Sequence, residues 1–118
     1  MKFALITAIL LSSIGIANAA SVEKGQALAE KANCASCHGA GLNAPIAPNY
    51  PKLAGQYPDY IYYALKAYEA GDSNHLYGRN NATMSALIKA QQVPLTDADL
   101  RDIAAYVASL PGNFVVKK

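Results

Sequence analysis

The sequence predicts an all-α domain of three main helices and one short helix, joined by long ordered loops. Three observations predict it: apolar residues recur at helical spacing in three segments, no segment alternates convincingly as a strand, and two stretches rich in Gly, Pro and Asn interrupt the pattern. The first helix is expected from Val22 to Asn33, capped by Ser21, with Leu28, Ala29 and Ala32 on one side. The second starts at Pro58, a residue suited to the first helical position, and runs to Ala70 with Gly71 as its stop. Its apolar stripe is Tyr57, Ile61, Ala64, Leu65 and Tyr68. A short helix from Met84 to Gln91 ends before Pro94. The last helix has Thr96 as N-cap, with Asp97 and Asp99 at the positive end of the dipole, and Pro111-Gly112 as terminator. Leu100, Ile103, Ala104, Val107 and Leu110 form its buried stripe. Residues 39–56, with Pro45, Pro48 and Pro51, and residues 71–83, with Gly71 and Gly78, are loops of a length expected over a bound ligand.

The 118 residues fit one domain and not two. Residues 1–19 read as a secretory signal peptide: Lys2, an apolar run from Phe3 to Ile16, then Ala17-Asn18-Ala19 as the cleavage site. A retained N-terminal anchor is the alternative, since the run is close to spanning length. The mature domain is then 20–118. Its net charge falls from the full chain's +2 to +1 with the loss of Lys2. No basic stripe is present, which argues against nucleic acid as a partner. From Ala20 onward only 20 residues are Val, Ile, Leu, Met or Phe, so the domain has a thin core that an added hydrophobic body would complete.

Both cysteines lie in Cys34-Ala35-Ser36-Cys37-His38. A disulfide across two residues would close too small a loop to stabilise much. A thioredoxin-like pair needs a strand–helix context that this chain lacks, and a zinc site needs more ligands than His75 can supply. Cys-x-x-Cys-His is instead the attachment motif for c-type haem. On one turn of helix the two thiols and the imidazole share a face, so Cys34 and Cys37 can add to the two vinyl groups while His38 reaches the iron.

A second axial ligand would bias such an iron toward electron transfer. Met84 and His75 are the candidates, and Met84 is the only methionine left after the leader is removed. It follows the polar loop Arg79-Asn80-Asn81-Ala82-Thr83, an unusual setting for a simple core methionine, and Met/His pairing is typical of cytochromes c. Met84 is therefore the expected ligand, and His75 a solvated loop residue.

With the haem motif near the mature N-terminus and a methionine well downstream, the chain resembles class I cytochromes c. The run Tyr50-Pro51-Lys52-Leu53-Ala54-Gly55-Gln56 is similar to the c-four subgroup, whose larger members hold two such domains in tandem. The resemblance implies a class I cytochrome c fold wrapped around one haem c, with its iron. It also implies that the Pro51 carbonyl accepts the second imidazole N–H of His38, and that Leu53 packs on the haem. Gly25 would let Tyr106 approach where the first and last helices cross, and Arg79, in the polar stretch with Asn81, would neutralise a propionate. The Trp that some members set against a propionate is missing here. The implied role is a periplasmic, monomeric one-electron carrier rather than an enzyme. Its partners would be membrane-bound electron donor and acceptor proteins, met transiently, and it would contact the membrane only through them. The alternatives are a haem subunit of a dehydrogenase, and a ligand-binding or peroxidatic haem if Met84 does not hold the iron.

Overall fold

Ser21 opens the folded domain, its extended backbone and hydroxyl capping the helix that follows by accepting the Lys24 N–H at 3.2 Å. The computed structural model describes residues 19–91 and 94–113; the expected leader, apart from Ala19, lies outside them. The elements are α1 (Val22–Lys31), α2 (Ala35–His38), a tight 3-10 turn at Ala40–Leu42, α3 (Pro58–Ala70), a second such turn at Gly71–Ser73, α4 (Ala82–Lys89) and α5 (Asp97–Ser109). All regular structure among the described residues is helical, and no helix among them is long and apolar enough to cross a membrane.

Three boundaries differ from the sequence reading: α4 ends at Lys89, two residues before Gln91, and two others shift for local reasons. Helix α1 stops at Lys31, before Asn33, because Asn33 takes a left-handed φ of 57° that closes the helix. Helix α4 starts at Ala82, before Met84, because the Asn81 side chain caps it and accepts the Met84 N–H at 2.9 Å.

Helix α1 crosses α5, α3 packs on the same α5, and α4 leans on α3. The α1–α5 crossing depends on Gly25. A Cβ there would lie 1.9 Å from the Asp102 backbone oxygen and 2.9 Å from the Tyr106 Cβ. Polar contacts seal the same crossing: the Ser21 N–H donates to the buried Asp102 carboxylate at 2.7 Å, and Lys24 reaches Asp99 at 3.1 Å and Asp102 at 3.4 Å. The core between the helices is Leu42, Ile61, Tyr62, Leu100, Ile103, Ala104 and Val107, with Leu28, Cys34 and Leu53 packed against it.

The stripe expected on α3 needs one exchange. Tyr57 is 76% exposed at the N-cap, whereas Tyr62 is buried. Tyr62 can be buried because its hydroxyl donates to Asp97 at the start of α5 and the Arg101 guanidinium sits 3.9 Å above its ring.

Candidate functional site

The Cys-x-x-Cys-His run is set by the way α1 ends. Asn33 reverses the chain and the Cys34 N–H donates back to the Ala29 carbonyl at 3.1 Å. The next turn is helical, with the Cys37 and His38 N–H groups both donating to the Cys34 carbonyl, at 3.3 and 3.1 Å. Cys34 and Cys37 are free, half-buried thiols, and His38 is buried. Burial pushes the Cys34 thiol above its ordinary pKa. Gly39 stops the turn at a φ of 80°, where a Cβ would meet the Ala44 carbonyl oxygen at 1.7 Å.

His38 is oriented from the loop that follows. Its Nδ1 lies 2.8 Å from the Pro51 carbonyl oxygen, an acceptor only, so Nδ1 carries the proton and Nε2 is left for a ligand bond. The Tyr50 ring stands beside the imidazole, 6.4 Å between centroids and tilted by 55°. Leu53 is half-buried against the core, with Cys34 packed against the same cluster. Cys34, Cys37, His38, Pro51 and Leu53 thus belong to one continuous unit.

This donor set suits an iron that brings most of its own ligands. Among the described residues no group of three or more His, Cys, Asp or Glu is placed to hold a bare metal ion. Two unpaired thiols beside one imidazole with a fixed tautomer match the needs of a covalently attached haem.

Met84 and Arg79 come from the α3–α4 side. Met84 is half-buried in the first turn of α4, and so is not a loop residue. Arg79 donates its backbone N–H to the Ala67 carbonyl at 2.9 Å. Its guanidinium reaches the hydroxyls of Tyr60 at 3.3 Å and Tyr68 at 3.5 Å, and lies over both rings. These phenol contacts raise the Arg79 pKa further, the Tyr60 hydroxyl contributing most. Arg79 also borders a cavity of about 550 Å³ walled by Tyr60, Tyr63, Ala64, Ala67 and Tyr77. His75 is exposed in a turn where Asn74 accepts the N–H groups of Leu76 and Tyr77. Sequence reasoning missed Tyr50 beside His38 and the Tyr60–Tyr68 clasp; eight tyrosines gave no basis for choosing among them.

Residues 22–111 match the family model described as Cytochrome c. The chain is 39% identical to cytochrome c4 of Stutzerimonas stutzeri, over 96% of this chain and 53% of that protein. It is 37% identical to a protein of Thiomonas intermedia named thiosulfate dehydrogenase electron acceptor, over 69% of this chain and 33% of that one. Among solved structures, reduced recombinant cytochrome c4 from Pseudomonas stutzeri superposes with a TM-score of 0.65 at 37% identity, covering 80% of this chain and 48% of its own. The chain spans about half the length of the cytochrome c4 relatives it matches. A helical domain built around a haem-attachment turn, matched to that family over nearly its whole folded length, belongs to the cytochrome c family as a class I c-type cytochrome of the c4 type, with covalently bound haem c as its cofactor.

Proposed function

We propose that this chain is an exported one-electron carrier whose haem is attached at Cys34 and Cys37 and whose iron is held by His38 and Met84. The observation that carries the reading is the buried His38, its Nδ1–H held by the Pro51 carbonyl at 2.8 Å, one residue after the second of two free thiols. The bound haem iron supplies a centre that takes up and releases one electron. Residues of the chain do the rest. The Pro51 carbonyl fixes the His38 tautomer and increases its donor strength. The Met84 thioether, a soft neutral ligand, favours reduced iron and raises the potential. A second protein ligand also keeps small ligands off the iron. Arg79 is held by Tyr60 and Tyr68, which supports a role in shaping the α3 side of the domain more than a contact with a propionate.

Residues 1–19 would export the chain to the periplasm. A small net charge, +1 once Lys2 is lost with residues 1–19, gives little long-range steering and suits brief encounters with membrane-bound donors and acceptors. A second reading, service to one dehydrogenase, is supported by the likeness to the Thiomonas intermedia acceptor.

A visible spectrum of the haem-loaded protein tests the site. Wild type is expected to show a low-spin c-type spectrum with a far-red sulfur-to-iron band when oxidised. Met84→Ala is expected to lose that band and to bind carbon monoxide when reduced. An unchanged spectrum in Met84→Ala would rule out the proposed ligand.

A further inference from the structure

Leu42 has a left-handed backbone, φ 54°, while its side chain is buried to 3% exposure in the core with Ile61, Tyr62, Leu100, Ile103 and Val107. A side chain with a Cβ adopts that conformation at an energetic cost, so surrounding contacts must impose it. What the conformation accomplishes can be read from the hydrogen bonds. The Leu42 carbonyl accepts two amides at once, Leu53 N–H at 2.8 Å and Ala54 N–H at 3.1 Å. Those residues follow Pro51-Lys52 directly, and the Pro51 carbonyl is the acceptor for His38 Nδ1. On its other side, the Leu42 N–H donates to the Gly39 carbonyl at 3.0 Å, one residue from His38. A closed circuit therefore runs from His38 through Gly39, Leu42 and Leu53 to Pro51 and back to the imidazole.

Pro51 is an exposed residue in a stretch outside any helix, so its part-buried bond to His38 depends on how firmly the loop is held. We propose that Leu42 is a positioning residue: its buried side chain pins the left-handed turn, and the turn sets the strength of the His38–Pro51 hydrogen bond and hence the reduction potential of the iron. This rests on His38 being the iron ligand. A weaker Nδ1–H bond makes the imidazole a poorer donor, which favours reduced iron and raises the potential.

The experiment is a redox titration and backbone amide exchange on haem-loaded wild type, Leu42→Val, Leu42→Gly, Leu42→Met and Thr96→Ala. Leu42→Val puts a β-branched residue where left-handed backbone is most disfavoured. It is expected to raise the midpoint potential and to speed exchange of the Leu53 and Ala54 amides at least tenfold. Leu42→Gly accepts the turn but loses the buried pin; it should shift both readouts in the same direction by less, and serves where Leu42→Val does not accumulate. Leu42→Met keeps volume and an unbranched Cβ, and should restore wild-type values. Thr96→Ala removes the α5 N-cap hydroxyl, which accepts the Asp99 N–H outside the circuit, and should lower stability while leaving the potential unchanged. A wild-type potential in both Leu42→Val and Leu42→Gly, or an equal shift in Thr96→Ala, overturns the proposal. Failure of the underlying reading looks different: wild type itself would then lack a low-spin c-type spectrum.

Discussion

Single residues at two close approaches determine whether this fold assembles. Gly39 is the tighter of the two, but Gly25 sets how two helices cross: any Cβ there would overlap the Asp102 backbone oxygen, and backbone cannot rotate aside as a side-chain tip can. Gly25→Ala must separate α1 from α5, disturbing the Ser21–Asp102 bond and the Lys24 ion pairs with it. The expected loss is about 3 kcal/mol, at the upper end for overpacking, read as a lower denaturant midpoint in the haem-loaded protein. An unchanged midpoint would mean that the helices do not cross as described. Residues such as Gly25 and Cys34 to His38 are legible in the sequence for different reasons. The haem motif is a short-range pattern whose spacing alone fixes which atoms converge. Gly25 needed the family resemblance to single it out. Leu42 was not legible at all: leucine carries no local preference for positive φ, so its conformation comes from the core that holds the side chain.

Among the elements, α5 has the most clearly encoded limits, and the structure supplies the reason. The Thr96 hydroxyl accepts the Asp99 N–H at 3.2 Å while the Asp99 carboxylate accepts the Thr96 N–H at 2.8 Å, a reciprocal capping box. Thr96→Ala should cost about 1 kcal/mol, measurable by chemical denaturation. The Asp99 carboxyl lies below its ordinary pKa, chiefly through the Thr96 N–H, then the Thr96 hydroxyl and Lys24. A carboxyl depressed in the folded state stabilises fully above its unfolded pKa, and that contribution is lost as pH falls below about 4. Asp99→Asn is therefore expected to be less stable than wild type at pH 6, with the difference shrinking in acid. Parallel stability curves would show that Asp99 is not held as described. Helix α4 was legible only in part. Its Asn81 cap is an ordinary helix-start signal, but Asn80-Asn81 also reads as loop, and the choice is settled by packing against α3. The Tyr57–Tyr62 exchange on α3 has the same origin, since burying Tyr62 requires Asp97 and Arg101 from a distant element.

At the scale of the whole molecule, the protein chain alone has little with which to hold itself together. Six of the thirteen buried apolar residues among those described are alanine, which remove little side-chain surface from water. The large contributors are few, and Leu53 and Cys34, on the site side, are only partly buried against the core. The thin core inferred from composition is thus present in three dimensions, and covalently bound haem c would supply the hydrophobic body to complete it. Local and tertiary terms then separate cleanly. The helices have their own caps at Ser21, Asn81 and Thr96, so helical content depends weakly on the cofactor. Fixed side-chain packing is expected to depend on it strongly. A Cys34→Ala, Cys37→Ala double variant, made so that haem cannot be attached, is expected to keep substantial far-ultraviolet helical signal while losing near-ultraviolet tyrosine signal. Its thermal transition should be broad where the haem-loaded protein melts sharply, the behaviour of a compact chain without specific packing. A sharp transition in the haem-free variant, at a temperature near that of the loaded protein, would instead place the core's stability in the polypeptide. The Asp102 cluster and the Tyr62–Asp97–Arg101 network would then be the interactions holding α1, α3 and α5 together.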